Sequence, residues 1–231
     1  LLIPRSTLGD RVANAFAQEW QTLGGGVVLQ QKFGSAAELR AGVNGGAGIA
    51  LNGSPVSASL PQQQGVTIGG LTIPAPPTDA QISGGGKVDA AYIVATPQEI
   101  AFIKPMIAMR NGSQSGATLY ASSRSAQGTA GPDFRLEMEG LQYSEIPMLA
   151  GSNPQLMQQA LGAVRNDYSL ARMYAMGVDA WSLANHFSQM RQVQGFEING
   201  NTGSLTANPD CVINRNLSWL QYQQGQVVPA S

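Results

Sequence analysis

The sequence predicts an α/β fold built on a doubly wound parallel sheet, and three observations carry that expectation. Strand-like apolar runs and helix-period segments alternate along the chain, the order that gives parallel strands joined by right-handed helical crossovers. The clearest run, Val88-Asp89-Ala90-Ala91-Tyr92-Ile93-Val94-Ala95, is almost continuously apolar, as strands covered on both faces are. A chain of 231 residues with 43% hydrophobic content is also long enough to build a real core, in one large domain or two small ones.

The first unit reads strand then helix. Leu1 to Ile3 end a strand at Pro4, and the start has no initiator Met, basic region or signal-type apolar stretch, so it reads as a strand already under way in a longer protein. Asp10 is the expected cap of a helix whose Val12, Phe16, Trp20 and Leu23 share a face, ended by Gly24-Gly25-Gly26. Val27 to Leu29 is the next strand, and Ser35-Ala36-Ala37-Glu38 has the spacing of a capping box. Residues 44–86 are rich in Gly, Ser, Pro, Gln and Thr, and are expected to form a long surface excursion, poorly ordered in part. Short strands are expected within it, near Gly48 to Leu51 and Val66 to Ile73.

Regular structure returns at Val88 to Ala95, followed at once by Thr96-Pro97-Gln98-Glu99. Thr at the cap, Pro at the first helical position and Glu three residues on make a strong helix start. Ile100, Ile103 and Ile107 mark its buried face, Pro105 is expected to kink it and Asn111-Gly112 to stop it. Ala117 to Ala121 and Leu141-Gln142-Tyr143 begin further strands. After Pro147 two helices come in succession. Asn153-Pro154 opens one carrying Leu156, Ala160, Leu161 and Val164. Ser169 opens a longer one with Leu170, Met173, Tyr174, Gly177, Trp181, Ala184 and Phe187 at helical spacing. From Phe196 on, turn signals at 199–203, 208–210 and 224–225 divide short strands. The chain is therefore expected to leave one lobe for another near residue 147, giving segments 1–147, 148–204 and 205–231.

Composition excludes several functions. Thirteen Lys and Arg balance 14 Asp and Glu, so no field steers nucleic acid or holds an anionic bilayer. Only 12% of residues are charged, about half the usual share, which leaves a mostly neutral-polar surface. One cysteine, Cys211, and one histidine, His186, make neither an intramolecular disulfide nor a zinc cluster.

Catalytic and nucleotide motifs fail on inspection. His186 has only Ser182 as a tempting helical neighbour, and no Gly-x-Ser-x-Gly elbow exists, so it is expected to be a helix-surface or packed histidine. Gly86-Lys87 is followed by Val88 and has Gln81 where a phosphate loop needs glycine, and Gly46-Ala47-Gly48 is followed by Leu51 at the third glycine's place. Cys211 lacks a basic neighbour and reads as a packed or half-buried thiol. Asp133, Glu137 and Glu139 read as decoration of a solvated helix. No catalytic residue, cofactor or metal ligand is expected. The ligand-binding candidates lie where loops leave the C-terminal ends of parallel strands: Arg5, Ser6, Thr96, Ser122, Ser123 and Arg124. For Thr96 a capping role is favoured, and Arg124 is the better binding candidate.

Two sets of residues carry a family resemblance. The run Ala171-Arg172-Met173-Tyr174-Ala175-Met176-Gly177-Val178-Asp179-Ala180-Trp181, followed by Asn199-Gly200-Asn201-Thr202-Gly203-Ser204-Leu205, resembles the closing segment of type I periplasmic binding-protein folds. The segments Phe102 to Gly112, Leu119 to Ser125 and Arg215 to Gly225, including Leu217-Ser218-Trp219-Leu220-Gln221-Tyr222, resemble the C-terminal domain of the LpoA family of penicillin-binding protein activators. That resemblance implies two doubly wound parallel-sheet lobes, the first incomplete here, with 1–147 as the second lobe and 148–204 as the return to the first. It further implies an outer-membrane lipoprotein whose periplasmic C-terminal domain binds a bifunctional class A penicillin-binding protein and stimulates peptidoglycan cross-linking, without cofactors or catalysis of its own. The alternative is a periplasmic solute-binding domain that holds a small polar ligand or muropeptide between lobes.

Overall fold

The computed structural model describes residues 1–51, 53–56, 66–68, 71–73, 88–111 and 116–230. They form two compact units, Leu1–Val94 with Pro105–Thr118, and Ala95–Lys104 with Leu119–Ser231. In chain order the first stretch contains β1 (Leu2–Pro4), α1 (Thr7–Thr22), β2 (Leu29–Phe33), α2 (Ala36–Asn44), β3 (Ser54–Pro55), β4 (Val66–Ile68), β5 (Leu71–Ile73) and β6 (Ala90–Ile93). Strand β1 runs parallel to β2, with Leu2 opposite Gln31 and Pro4 opposite Phe33, and parallel to β6, with Leu2 opposite Ile93. The short β3 pairs antiparallel with β2. Ile3, Ala13 and Val94 are buried together, with Leu1, Val12, Val56 and Tyr92 packed around them.

Helix α1 starts earlier than Asp10. Ser6 is its cap, accepting a hydrogen bond from the Gly9 amide at 3.4 Å. Asp10 instead lies in the first turn, where a carboxylate complements the helix N-terminus, and accepts from Lys32 Nζ at 2.7 Å. The buried stripe is Gly9, Ala13 and Ala17 rather than the large residues, and Trp20 and Leu23 are exposed. Small residues let the helix approach β1 closely: a Cβ on Gly9 would collide with the Pro4 carbonyl oxygen. Gly9→Ala is therefore expected to lower unfolding free energy by about 1–3 kcal/mol, measured by urea denaturation.

Residues 44–86 are partly described. Gly48 to Leu51 do not form a strand; Ile49 is buried and its amide donates to the Met106 carbonyl at 2.8 Å. The expected strand at Val66 to Ile73 is an antiparallel pair, β4 with β5. Residues 52, 57–65, 69–70 and 74–86 of the expected excursion lie outside the described residues.

Then follow α3 (Pro97–Asn111), β7 (Thr118–Ala121), a single 3-10 turn at Ser123–Ser125, α4 (Pro132–Glu137), β8 (Gln142–Glu145), α5 (Pro154–Ala163) and α6 (Tyr168–Gln192). The capping box at α3 is reciprocal: Glu99 N donates to Thr96 Oγ1 at 3.2 Å and Thr96 N to Glu99 Oε1 at 3.1 Å. Ile100, Ile103 and Ile107 are buried as expected, and the helix continues through Pro105. Asp167, not Ser169, caps α6, accepting from Leu170 N at 3.0 Å. Ile146, Met148, Leu149, Ala160, Ala171 and Ala175 form the core between β8, α5 and α6.

The chain closes with β9 (Ile198–Asn199), β10 (Ser204–Ala207), β11 (Ile213–Asn216), β12 (Ser218–Gln223) and β13 (Gln226–Pro229). Strands β9, β10 and β11 make a small antiparallel sheet. In the second unit β7 runs parallel to β8, but β12 pairs antiparallel with β8 and β13 antiparallel with β12. The sheets are thus mixed rather than purely parallel. Gln224 and Gly225 both have left-handed backbone, φ 53° and 72°, which is what a two-residue hairpin turn between β12 and β13 requires.

Candidate functional site

The C-terminal ends of β7 and β8 are joined by one side chain that sequence reasoning did not single out. Arg172, on α6, donates from Nε to Glu145 Oε1 at 3.1 Å and from Nη2 to Glu145 Oε2 at 2.8 Å. The same Nη2 reaches the carbonyls of Ser123, at 3.1 Å, and Ala126, at 2.6 Å. Glu145 is 2% exposed, and its Oε1 also accepts from the Ile146 amide at 2.9 Å. A buried carboxylate requires such partners, because desolvation would otherwise favour its neutral form. The guanidinium also lies 5.9 Å from the Tyr168 ring centroid, and that phenol is raised above its ordinary pKa by burial and by the Glu145 charge. Arg172 therefore pins the turn after β7 to the end of β8. It fixes the 122–126 loop from beneath and leaves Arg124 outside.

The predicted ligand residues divide accordingly. Ser122, Ser123 and Arg124 follow one another on that pinned turn; Arg124 is exposed, Ser123 offers its carbonyl to Arg172, and the Ser122 hydroxyl is buried without a hydrogen-bond partner. Thr96 uses its hydroxyl to cap α3. Arg5 and Ser6 lie in the first unit, at the end of β1. Arg5 is exposed and 3.7 Å from Glu38, while Ser6 caps α1. His186 is exposed with Nδ1 2.8 Å from the Ser182 carbonyl, so it engages the backbone rather than the Ser182 hydroxyl. Cys211 is exposed rather than packed, because it sits in a left-handed turn residue, φ 62°, whose amide donates to Asn208. Of the acidic residues expected on a solvated helix, Asp133 and Glu137 lie on α4. Glu139 lies beyond it and accepts from the Gln224 amide at 2.8 Å. Among the described residues no three His, Cys, Asp or Glu side chains are grouped to hold a metal, and no helix is long and apolar enough to cross a membrane.

A second buried carboxylate organises the following turn. Asp179, on α6, accepts from the Asn201 amide at 2.9 Å, from Asn201 Nδ2 at 3.3 Å, from the Thr202 amide at 2.7 Å and from the Thr202 hydroxyl. Gly200 is required beside it: a Cβ there would lie 2.6 Å from Asp179 Oδ2 and 2.9 Å from the Gly203 carbonyl oxygen. The Asn201 carbonyl in turn accepts from Met148 N at 3.1 Å, so the turn reaches the core beneath α5.

Tyr143 on β8 and Tyr222 on β12 lie with ring centroids 5.3 Å apart, both buried. Burial, then each other's proximity and Glu145, push Tyr143 far above the ordinary phenol range, and burial pushes Tyr222 up to about 12. A raised folded-state pKa means stabilisation that is complete below the unfolded phenol value of about 10 and is lost as pH rises through the folded value. Urea midpoints are expected to fall between about pH 10 and pH 12, and Tyr222→Phe to flatten that fall.

The fold finds its counterparts among known proteins. Residues 1–225 match the family model described as "LppC putative lipoprotein". The chain belongs to the LppC family. An LppC relative from Enterobacter sp. strain 638, named Penicillin-binding protein activator LpoA, is 88% identical over 231 residues, covering the whole of this chain and 32% of its own length. The chain thus spans about a third of that relative. The solved C-domain of LpoA (YraM) from Haemophilus influenzae, named as a regulator of PBP1A, superposes with TM-score 0.68 at 30% identity, over all of this chain and 60% of that one. A protein of Chromobacterium violaceum named as a putative branched-chain amino acid ABC transporter superposes with TM-score 0.53 at 19% identity, over 94% of this chain and 56% of its own, and shows the shared fold alone. The LppC chain has the periplasmic binding-protein-like α/β fold that its closing segment resembles.

Proposed function

We propose that this chain is the docking module through which a lipoprotein activator binds a bifunctional class A penicillin-binding protein and stimulates peptidoglycan cross-linking, with all bond chemistry done by the partner. The observation that carries the reading is 88% identity, over the whole of this chain and 32% of the relative's length, with a protein named as a penicillin-binding protein activator. The H. influenzae domain named as a regulator of PBP1A supports the same partner. On this reading the protein works on the periplasmic side of the outer membrane, held by a lipid anchor outside these residues. Segment 1–147 is the second lobe, 148–204 the return to the first, and 205–231 the closing strands.

Activation needs only that the module bind one state of the synthase more tightly than another. A body whose loops are pinned by Arg172 and Asp179 suits that task, because little is lost to ordering on binding. With 13 basic against 14 acidic residues, long-range steering is weak and affinity rests on shape and hydrogen bonds. Capture of a solubilised class A synthase by the full-length protein is therefore expected, with retention changing little between low and high salt. Absence of capture, together with melting shifts on adding amino acids or muropeptides, would favour the solute-binding alternative. In that case Arg5, Ser6, Thr96, Ser122, Ser123 and Arg124 are the ligand candidates, and alanine at Ser122 and Arg124 weakens ligand binding and reduces the shift.

A further inference from the structure

Two side chains one turn apart on α6 reach out of their own core and take hold of the sheet. The core that α6 shares with α5 holds Ala160, Ala171 and Ala175, with Tyr168 packed on its margin. Tyr168 also lies against Gly128, whose backbone is left-handed, φ 74°: a Cβ there would stand 2.4 Å from Tyr168 Cε1. Arg172, four residues on, shares that side of the helix. Its four hydrogen bonds all go to groups ahead of residue 147: both Glu145 carboxylate oxygens and the Ser123 and Ala126 carbonyls. The pair thus grips the segment after β7 at 123, 126 and 128, and β8 at its last residue. This grip lies where such a fold turns. In two-lobed binding proteins, closure over a ligand is a rotation about the few strands that cross between lobes. Here the chain leaves β8 through Ile146 and Pro147 and enters β12 through Leu217. Glu145 stands next to the first crossing, whereas residues 123–128 lie beyond the end of the neighbouring strand, so a contact there has a lever arm against rotation. Movement that carried Arg172 away would also leave the Glu145 charge, 2% exposed, without its counter-ion.

We propose that Tyr168 and Arg172 form a clamp between the lobes, which holds them at one angle and prevents the opening and closing by which the fold traps a ligand. The shape of the contact favours a clamp over a sliding surface. Sliding contacts are apolar and non-directional, whereas the Arg172 fork meets a carboxylate and two carbonyls whose positions are fixed by the end of β8 and the 3-10 turn. Gly128 adds a steric stop, since only a residue without a Cβ lets the Tyr168 ring approach so closely. The inference rests on the two-lobed fold and the division near residue 147, and is independent of the synthase reading.

The test places spin labels at Glu137→Cys on α4 and Gln158→Cys on α5, both exposed, in the full-length protein carrying this chain, with exposed Cys211→Ser to keep the labelling specific. Pulsed electron resonance then reads the distribution of distances between the lobes. With the clamp intact, one narrow distribution is expected, unmoved by added amino acids or muropeptides. Tyr168→Ala combined with Arg172→Met and Glu145→Leu removes the clamp without stranding a buried charge, and is expected to broaden the distribution at least about two-fold. Thermal melting of the same samples separates a loosened hinge from an unfolded protein, and Tyr168→Ala alone, which leaves the ion pair in place, is expected to broaden the distribution less. A triple variant that is folded and as narrow as the parent overturns the proposal, because the crossings alone would then set the angle. So does a parent distribution that is already broad, or one that shifts on adding amino acids or muropeptides.

Discussion

Arg172→Ala is expected to cost about 3–5 kcal/mol of unfolding free energy, the largest single effect outside the hydrophobic core. The loss does not measure the strength of an ion pair. It measures what remains: a Glu145 carboxylate 2% exposed with the Ile146 amide to satisfy it, an Ala126 carbonyl that has lost the Arg172 donor, and a Ser123 carbonyl left with the Ala126 amide alone. Arg172→Lys keeps the charge but not the planar fork that reaches both carboxylate oxygens and both carbonyls, so it is expected to fall between wild type and alanine. The double variant Arg172→Met with Glu145→Leu removes both charges and fills the space, and is expected to recover most of the loss. Chemical denaturation of the four proteins gives the cycle. A single-variant loss below about 1 kcal/mol would place the pair among solvent-screened surface bridges and contradict this account.

Asp179→Asn is expected to cost about 2–3 kcal/mol. Both carboxylate oxygens are used: Oδ1 by the Asn201 amide and side chain, Oδ2 by the Thr202 amide and hydroxyl. An amide can replace only one oxygen as an acceptor, and its NH₂ then faces donors. Thr202 and Asp179 are both buried, so water does not repair the mismatch. Thermal melting reports the total, and hydrogen exchange at Thr202 and Met148 reports whether the turn and the contact it makes with Met148 open together.

Local chemistry was legible in the sequence where partners are close along the chain. The Thr96–Glu99 capping box, the Ser35 and Asn153 caps and the Ile100–Ile107 stripe all lie within one or two helical turns. Arg172 and Glu145 are 27 residues apart, and little in either neighbourhood distinguishes them from surface charges. The one available signal was Arg172 inside the apolar run that opens α6. Periodicity marked Leu170, Met173, Tyr174 and Trp181 as a face, but spacing states only that a face exists. Ala171 and Ala175, which pack in one core with α5 and the Ile146 to Leu149 segment after β8, carry a weaker signal because alanine is common on either side of a helix. The antiparallel strands β12 and β13 were readable as strands; their direction depends on the Gln224-Gly225 turn and on the long path from α6, which apolar runs do not encode.

The central claim is that this chain acts on a synthase instead of catalysing. Cross-linked muropeptides formed by a purified class A penicillin-binding protein from lipid-linked precursor, with and without the full-length protein carrying this chain, measure it directly. The account predicts a higher cross-linked fraction with the protein present and no product when the synthase is omitted. An unchanged cross-linked fraction despite demonstrated binding, or product formed without the synthase, would contradict it.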